Sequence, residues 1–84
     1  MPTREIDGFE VWSAARQLGD EQAIPEVEVK DLSGKLKSNV FSVHTTERFD
    51  RLEDAKAAAD DVVGAIERVD ERGVPSPLTY PTRT

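Results

Sequence analysis

The sequence predicts an α+β domain, in which a three-stranded antiparallel β-meander is followed by one long C-terminal amphipathic helix packed on one sheet face. Two observations carry this prediction. Apolar and polar residues alternate with a period of two in the first half of the chain, which is typical of strands. Residues 50–73 instead repeat apolar positions three and four residues apart, which is typical of one face of a helix.

Three segments carry the strand pattern, at residues 8–15, 24–31 and 35–45. The steps Gly19-Asp20 and Ser33-Gly34 lie between them, and such steps favour short turns between antiparallel neighbours. Alternation would turn one apolar set toward a common side of the sheet. That set is Phe9, Val11, Val27, Val29, Phe41 and Val43.

The helix is predicted over residues 50–73, with Asp50 as its N-cap and Gly73 at its C-terminal end. Gly64 interrupts the pattern. It either costs about 0.5–1 kcal/mol relative to alanine or lets another backbone come close. The apolar stripe should cover the common side of the sheet. Its members are Leu52, Ala55, Ala58, Ala59, Val62, Val63, Ile66 and Val69.

The chain is expected to form one β-β-β-α domain over residues 1–73, followed by a proline-rich tail over residues 74–84. The tail holds three prolines and shows no apolar period. Such a composition favours an extended or disordered segment.

Composition narrows the function classes. The 84 residues carry 17 acidic and 11 basic side chains, a formal net charge of −6, which disfavours nucleic acids and anionic membranes as partners. There is no cysteine, so disulfides, thiolate chemistry and cysteine-based zinc sites are excluded. Without an apolar run suited to a signal peptide or a membrane span, we expect a cytoplasmic protein.

Catalytic patterns are weak. His44 is the single histidine, and Ser42 precedes it by two residues without an acid placed to orient the ring. The adjacent acids Asp60 and Asp61 would diverge by about 100° on a helix, so they would not converge on one ion. We therefore expect a protein that is not an enzyme and that needs no cofactor or metal.

The sheet face opposite the helix is the candidate interaction surface. One helix covers one face only, so the residues of the other face remain available to a partner. A tryptophan on such a face marks a contact site, unless the N-terminal arm or the tail covers it and makes it part of the core. The candidate residues are Trp12, Glu28, Val40, Ser42 and His44.

Three functions fit this surface. The leading hypothesis is a protein-interaction module that binds a protein partner or a second copy of itself as a homodimer. The alternative is a small-molecule site that uses Trp12 as a platform and Glu28, Ser42 and His44 as polar groups. RNA or DNA binding is the least favoured, because the face offers one aromatic residue and few cations.

The chain also resembles a set of small bacterial β-β-β-α domains of unknown function. The matching positions are Gly8-Phe9, Val11, Ser13-Ala14, Val27, Val29, Phe49 and the Glu-Asp-Ala run at 53–55. Two positions depart from the pattern: Arg51 stands where those domains commonly place a threonine cap, and Trp12 where a proline often precedes the Ser-Ala pair. The resemblance implies the fold and no activity.

Overall fold

The computed structural model describes residues 3–82 and shows an α+β fold with a four-stranded antiparallel sheet. The strands lie in chain order across the sheet: β1 (Thr3–Ile6), β2 (Phe9–Gln17), β3 (Ala23–Asp31) and β4 (Asn39–Ser42). Five further elements follow β4 along the chain: β5 (His44–Thr45), α1 (Leu52–Ala65), β6 (Arg68–Val69), β7 (Pro75–Ser76) and β8 (Thr79–Tyr80). The α+β class and the meander are confirmed, whereas the number of strands and the C-terminal position of the helix were wrong.

The additional strand is β1, which pairs with β2 through a two-residue turn at Asp7 and Gly8. Both turn residues have positive φ, 53° and 85°, as a tight hairpin turn of this kind requires. Asp-Gly is a strong hairpin signal, but the short segment before it has only one apolar residue, Ile6. The strand therefore gives almost no periodic pattern of its own.

The predicted third strand, residues 35–45, is divided into two short strands with different partners. Its first part is β4, which pairs with β3. At Val43 the backbone amide still donates to Pro25 at 3.0 Å, but the next amide, of His44, donates to the Leu78 carbonyl at 2.7 Å. The second part, β5, therefore pairs with β8 in parallel and leaves the four-stranded sheet.

The helix is shorter than predicted. It begins after Arg51, which has extended backbone angles and makes no side-chain capping bond, so Asp50 is not the N-cap. Ile66 is the C-cap, and the chain then becomes extended. The last predicted turns instead form the β6–β7 hairpin, whose turn holds Gly73 at a φ of 82°.

The core lies between the helix and the sheet face that carries the predicted apolar set. Three buried alanines, Ala55, Ala58 and Ala59, let α1 lie close to the strands. Gly64 is exposed, and a Cβ there would meet nothing within 4 Å, so no backbone approaches it closely. The buried cluster consists of Ile6, Phe9, Val11, Val27, Val29, Val43, Val62, Val63, Ile66 and Val69.

Residues 74–82 differ from the extended tail that composition suggested. Pro75 is buried within the β6–β7 hairpin, and Leu78 and Tyr80 pack against the core cluster. The Tyr80 ring meets Phe49 edge to face, with ring centroids 5.8 Å apart. The segment packs against the rest of the domain because its apolar residues complete the core beside α1. Residues 83–84 lie outside the part of the chain that the structure describes.

Candidate functional site

The strand register brings three of the candidate residues into one row across the sheet. Trp12 on β2 lies opposite Glu28 on β3, and Glu28 lies opposite Val40 on β4. Their side chains point away from α1, because the neighbouring positions Val11 and Val27 are buried in the core beneath the helix. The structure thus places Trp12, Glu28 and Val40 side by side on the uncovered side of the sheet.

We call this side the open face. It comprises the outward positions of β1 to β4, which alternate with core positions along each strand. Its members are Thr3, Glu5, Glu10, Trp12, Ala14, Arg16, Ile24, Glu26, Glu28, Lys30, Val40 and Ser42.

Apolar area is available on the open face. Val40 is 51% exposed on the edge strand, and Trp12 is partly exposed. The tail does not cover Trp12, because Leu78 and Tyr80 pack on the core side of the sheet. The described part of the N-terminal arm is β1, which lies beside Trp12 in the sheet, with Thr3 opposite it.

The open face carries more carboxylates than cations. Glu5 lies opposite Glu10, and Glu10 lies opposite Lys30 in the next strand. Glu26 is buried, with 9% exposure, and its Oε2 lies 3.6 Å from the Nε of Arg16. Together with Glu28, four carboxylates and two cations share this surface.

The remaining candidates, Ser42 and His44, are separated. Ser42 lies on the open face opposite Glu26. His44 is exposed but belongs to β5, where it lies opposite Thr79 of the tail. The sequence predicts His44 beside Ser42 because residues two apart in one strand share a side. That prediction fails because the strand changes its pairing partner after Val43.

His44 instead lines a cleft of about 610 Å³ between β5 and the tail. Four of its seven lining residues are threonines, and four of the seven belong to the tail. Its lining residues are His44, Thr45, Thr46, Thr79, Tyr80, Pro81 and Thr82.

A polar contact beneath the helix was missed by sequence reasoning. Ser13, 1% exposed, donates a hydrogen bond to the Asp60 carboxylate, and the Lys56 ammonium donates to the Ser13 hydroxyl at 3.4 Å. Because Lys56 acts as a donor and Ser13 is closed to solvent, the group satisfies a buried hydroxyl rather than preparing a nucleophile. The signal was a serine at an inward position of β2 with an i,i+4 Lys-Asp pair on the facing helix.

Two aspartates with shifted pKa values cap turns. Hydrogen bonds from the Ser33 hydroxyl and backbone amide, and from the Leu36 amide, lower the pKa of Asp31. The Val74 and Arg72 amides likewise lower the pKa of Asp70 in the β6–β7 turn. Both carboxylates are occupied by local backbone, so their shifts reflect turn geometry rather than a reactive site.

Within residues 3–82, no group of three or more His, Cys, Asp or Glu side chains is arranged to hold a metal ion. In the same range, no helix combines the length and the hydrophobicity of a membrane span. The fold and the site define a small α+β domain whose candidate site is an uncovered sheet face bearing a tryptophan and carboxylates. Comparison with protein-family models, with curated proteins and with solved structures found no match to the chain. The resemblance to small bacterial domains therefore stays a prediction.

Proposed function

We propose that this protein is a non-enzymatic interaction module that binds another protein on its open face, with the row of Trp12, Glu28 and Val40 at the centre. One observation carries the proposal. The single helix of residues 3–82 covers one side of a four-stranded sheet and leaves a tryptophan and a half-exposed valine on the other. Aromatic anchors flanked by polar side chains are the usual composition of a protein interface.

The dimensions of the sheet support this function. Strands lie about 4.8 Å apart and rise about 3.4 Å per residue, so the open face is about 30 Å long at the nine-residue strands β2 and β3 and about 14 Å long at the four-residue strands β1 and β4. One partner of a standard interface contributes about 800 Å² of accessible surface, and a face of this size, roughly 400 Å², supplies about half of it. The exposed loop at residues 32–38 beside β4 offers further contact area.

A cytoplasmic location remains part of the proposal. In this proposal the partner is either a second copy of the chain or a different protein. Nucleic acid gains no support from a face with four carboxylates and two cations.

The small-molecule alternative would concern a different place. The cleft beside His44 has a volume of about 610 Å³, but it is open to solvent, whereas ligand sites usually enclose most of the ligand. Trp12 is not among its lining residues, so this alternative concerns His44 and Tyr80 rather than an indole platform. Binding of a small molecule there would leave the open face free.

Site-specific photo-crosslinking tests the proposal. A photoreactive phenylalanine analogue replaces Val40 on the open face, and in a matched variant it replaces Ala57, which is exposed on the outer side of α1. Illumination of cells that produce the chain should give discrete adducts from position 40 and none of equal yield from position 57.

A Trp12→Ala change should remove the position-40 adduct while far-UV circular dichroism stays unchanged. Equal adduct patterns from both positions, or an adduct that survives the loss of Trp12, would contradict the proposal. Analytical mass spectrometry of the adduct decides whether the partner is a second copy or a different protein.

A further inference from the structure

We infer that the partner is a basic segment of another protein, which places an arginine or lysine side chain on the Trp12 indole among the surrounding carboxylates. The inference rests on the proposed function and adds the chemistry of the partner. Charge complementarity around Trp12 is the observation that carries it.

The register surrounds Trp12 with acids. Glu28 lies directly opposite it, and Glu10 lies two residues before it on the same side of β2. Glu26 and Lys30 occupy the diagonal positions on β3, and Glu5 occupies one on β1, so four acids and one cation are the charged neighbours of Trp12. Directly opposite side chains have Cβ atoms about 5 Å apart and diagonal ones about 7–8 Å, so Glu28 lies nearest to the indole and Glu5 lies within reach of a long cationic side chain placed on it.

An indole with carboxylates at this distance suits a cationic side chain. Tryptophan is the strongest of the aromatic residues in attracting an ammonium or guanidinium group within about 6 Å of the ring. A guanidinium stacks on the ring and keeps its N–H groups free for a carboxylate at the rim. Glu28 is the nearest such acceptor, because it shares the row with Trp12.

Glu26 adds a second reason. Its side chain is buried, but its contact with Arg16 at 3.6 Å is longer than a hydrogen bond, and the Arg16 side chain is 58% exposed. At this length, and with the arginine exposed, the ion pair stabilises the Glu26 carboxylate weakly. A second cation from a partner would therefore strengthen the local electrostatics, whereas an acidic partner would weaken them.

A second copy of the chain is the poorer occupant of the open face. Two-fold contact would bring four carboxylates and two cations of one copy against the same set of the other. Like charges brought together across an interface are costly and select against that partner. The net charge of −6 repels a second copy at long range and attracts a basic segment.

The test uses three labelled peptides of about nine residues, the length of a long strand. They alternate threonine with arginine, with glutamate or with glutamine, and binding to the full chain is followed by fluorescence anisotropy. The arginine peptide should bind at least about tenfold more tightly than the glutamine peptide, and the glutamate peptide should not bind. The affinity of the arginine peptide should fall as the salt concentration rises from about 50 to about 300 mM.

Trp12 gives an independent readout, because it is the only tryptophan in the chain. Its emission should change when the arginine peptide binds and stay constant with the glutamate peptide. An arginine peptide that binds without changing this emission would place the contact elsewhere and overturn the inference.

Matched variants locate the contact. Glu28→Gln and Glu67→Gln both remove one negative charge, but Glu67 is exposed after the helix and lies outside the open face. Glu28→Gln should weaken binding of the arginine peptide about fivefold to tenfold, and Glu67→Gln less than about twofold. Trp12→Phe, which keeps an aromatic ring with a weaker cation attraction, should weaken it about threefold.

The outcomes separate the two proposals. A crosslink at position 40 combined with no preference for the arginine peptide would keep the proposed function and overturn the basic partner. Equal losses from Glu28→Gln and Glu67→Gln would show a general charge effect and overturn the inference. A concentration-dependent dimer in light scattering that Trp12→Phe weakens would assign the face to a second copy and overturn it as well.

Discussion

The guanidinium of Arg4 on the first strand caps the C-terminal end of the helix, donating from Nη1 to the Val63 carbonyl at 2.7 Å. The same nitrogen lies 3.2 Å from the Gly64 carbonyl and 2.9 Å from that of Ile66. The last carbonyls of a helix have no partner within the helix, and they form the negative end of its dipole. A cation from the far end of the chain therefore satisfies the site where α1 stops.

Replacing Arg4 with alanine should lower the free energy of unfolding by about 1.5–3 kcal/mol, because a charge-assisted hydrogen bond at a partly buried helix end is lost. Urea denaturation monitored by circular dichroism measures the change. Arg48→Ala, which removes an exposed arginine, is the control and should change stability by less than about 0.5 kcal/mol. Equal effects would assign the loss to net charge rather than to the cap.

Two glycines should respond to alanine in opposite directions. Gly64 has open space around a new Cβ and lies in the helix, so Gly64→Ala should raise stability by about 0.5–1 kcal/mol. Gly73 has a φ of 82°, and its Cβ would lie 3.3 Å from the Phe9 ring, so Gly73→Ala should lower stability by about 1–2 kcal/mol. Thermal unfolding of both variants checks the signs, and a loss at Gly64 would show that its neighbourhood is closer than the structure places it.

The tail should contribute to stability. Tyr80→Ala removes the edge-to-face contact with Phe49 and apolar area beside α1, so the free energy of unfolding should fall by about 1–2 kcal/mol. Thr79→Ala, in the same strand but exposed, should change it by less than about 0.5 kcal/mol. Chemical denaturation compares them, and an unchanged Tyr80→Ala protein would support the free tail that composition suggested.

Asp31 should make stability depend on pH. Hydrogen bonds from Ser33 and Leu36 favour the carboxylate and lower its pKa in the folded state. The carboxylate therefore stabilises the fold above the ordinary aspartate pKa of about 3.9, and this contribution is lost as the pH falls through the lower folded value. Asp31→Asn should reduce the urea midpoint at about pH 7 and reduce it less at about pH 3.

Asp20→Asn, an exposed change in the β2–β3 connection, is the control for the pH experiment. In this variant the difference between the urea midpoints at the two pH values should stay close to the difference measured for the unchanged protein. A deficit of Asp31→Asn that is the same at both pH values would mean that loss of the turn geometry, and not ionisation, accounts for it.

Local patterns predicted much of the fold. Alternation at Val27 and Val29 placed β3 with the correct side toward the helix, and the three-and-four spacing identified α1. The same alternation put Trp12 and Val40 on the open face, since outward positions follow directly from inward ones. These features depend on residues that are close together in sequence, so the local pattern is enough to predict them.

The errors concern contacts between distant segments. Ile66 and Val69 continue the helical spacing, yet the helix stops before them, and the cation that caps its end is Arg4, about 60 residues away in sequence. His44 leaves the sheet because its backbone amide donates a hydrogen bond to the Leu78 carbonyl. The residue pattern around His44 gives no sign of this distant partner. In both places a remote partner outweighs the local pattern.

The two ends of the described chain both meet its middle, Arg4 at the end of the helix and Leu78 to Tyr80 beside β5. Contacts of such long sequence separation slow folding, because large loops must close before they form. During synthesis, residues 78–80 are made after the other parts of the core, and they supply the pairing partner of β5. A nascent chain that still holds these residues in the ribosomal exit tunnel therefore has an unfinished core, and its native packing is completed only once residues 78–80 have left the tunnel.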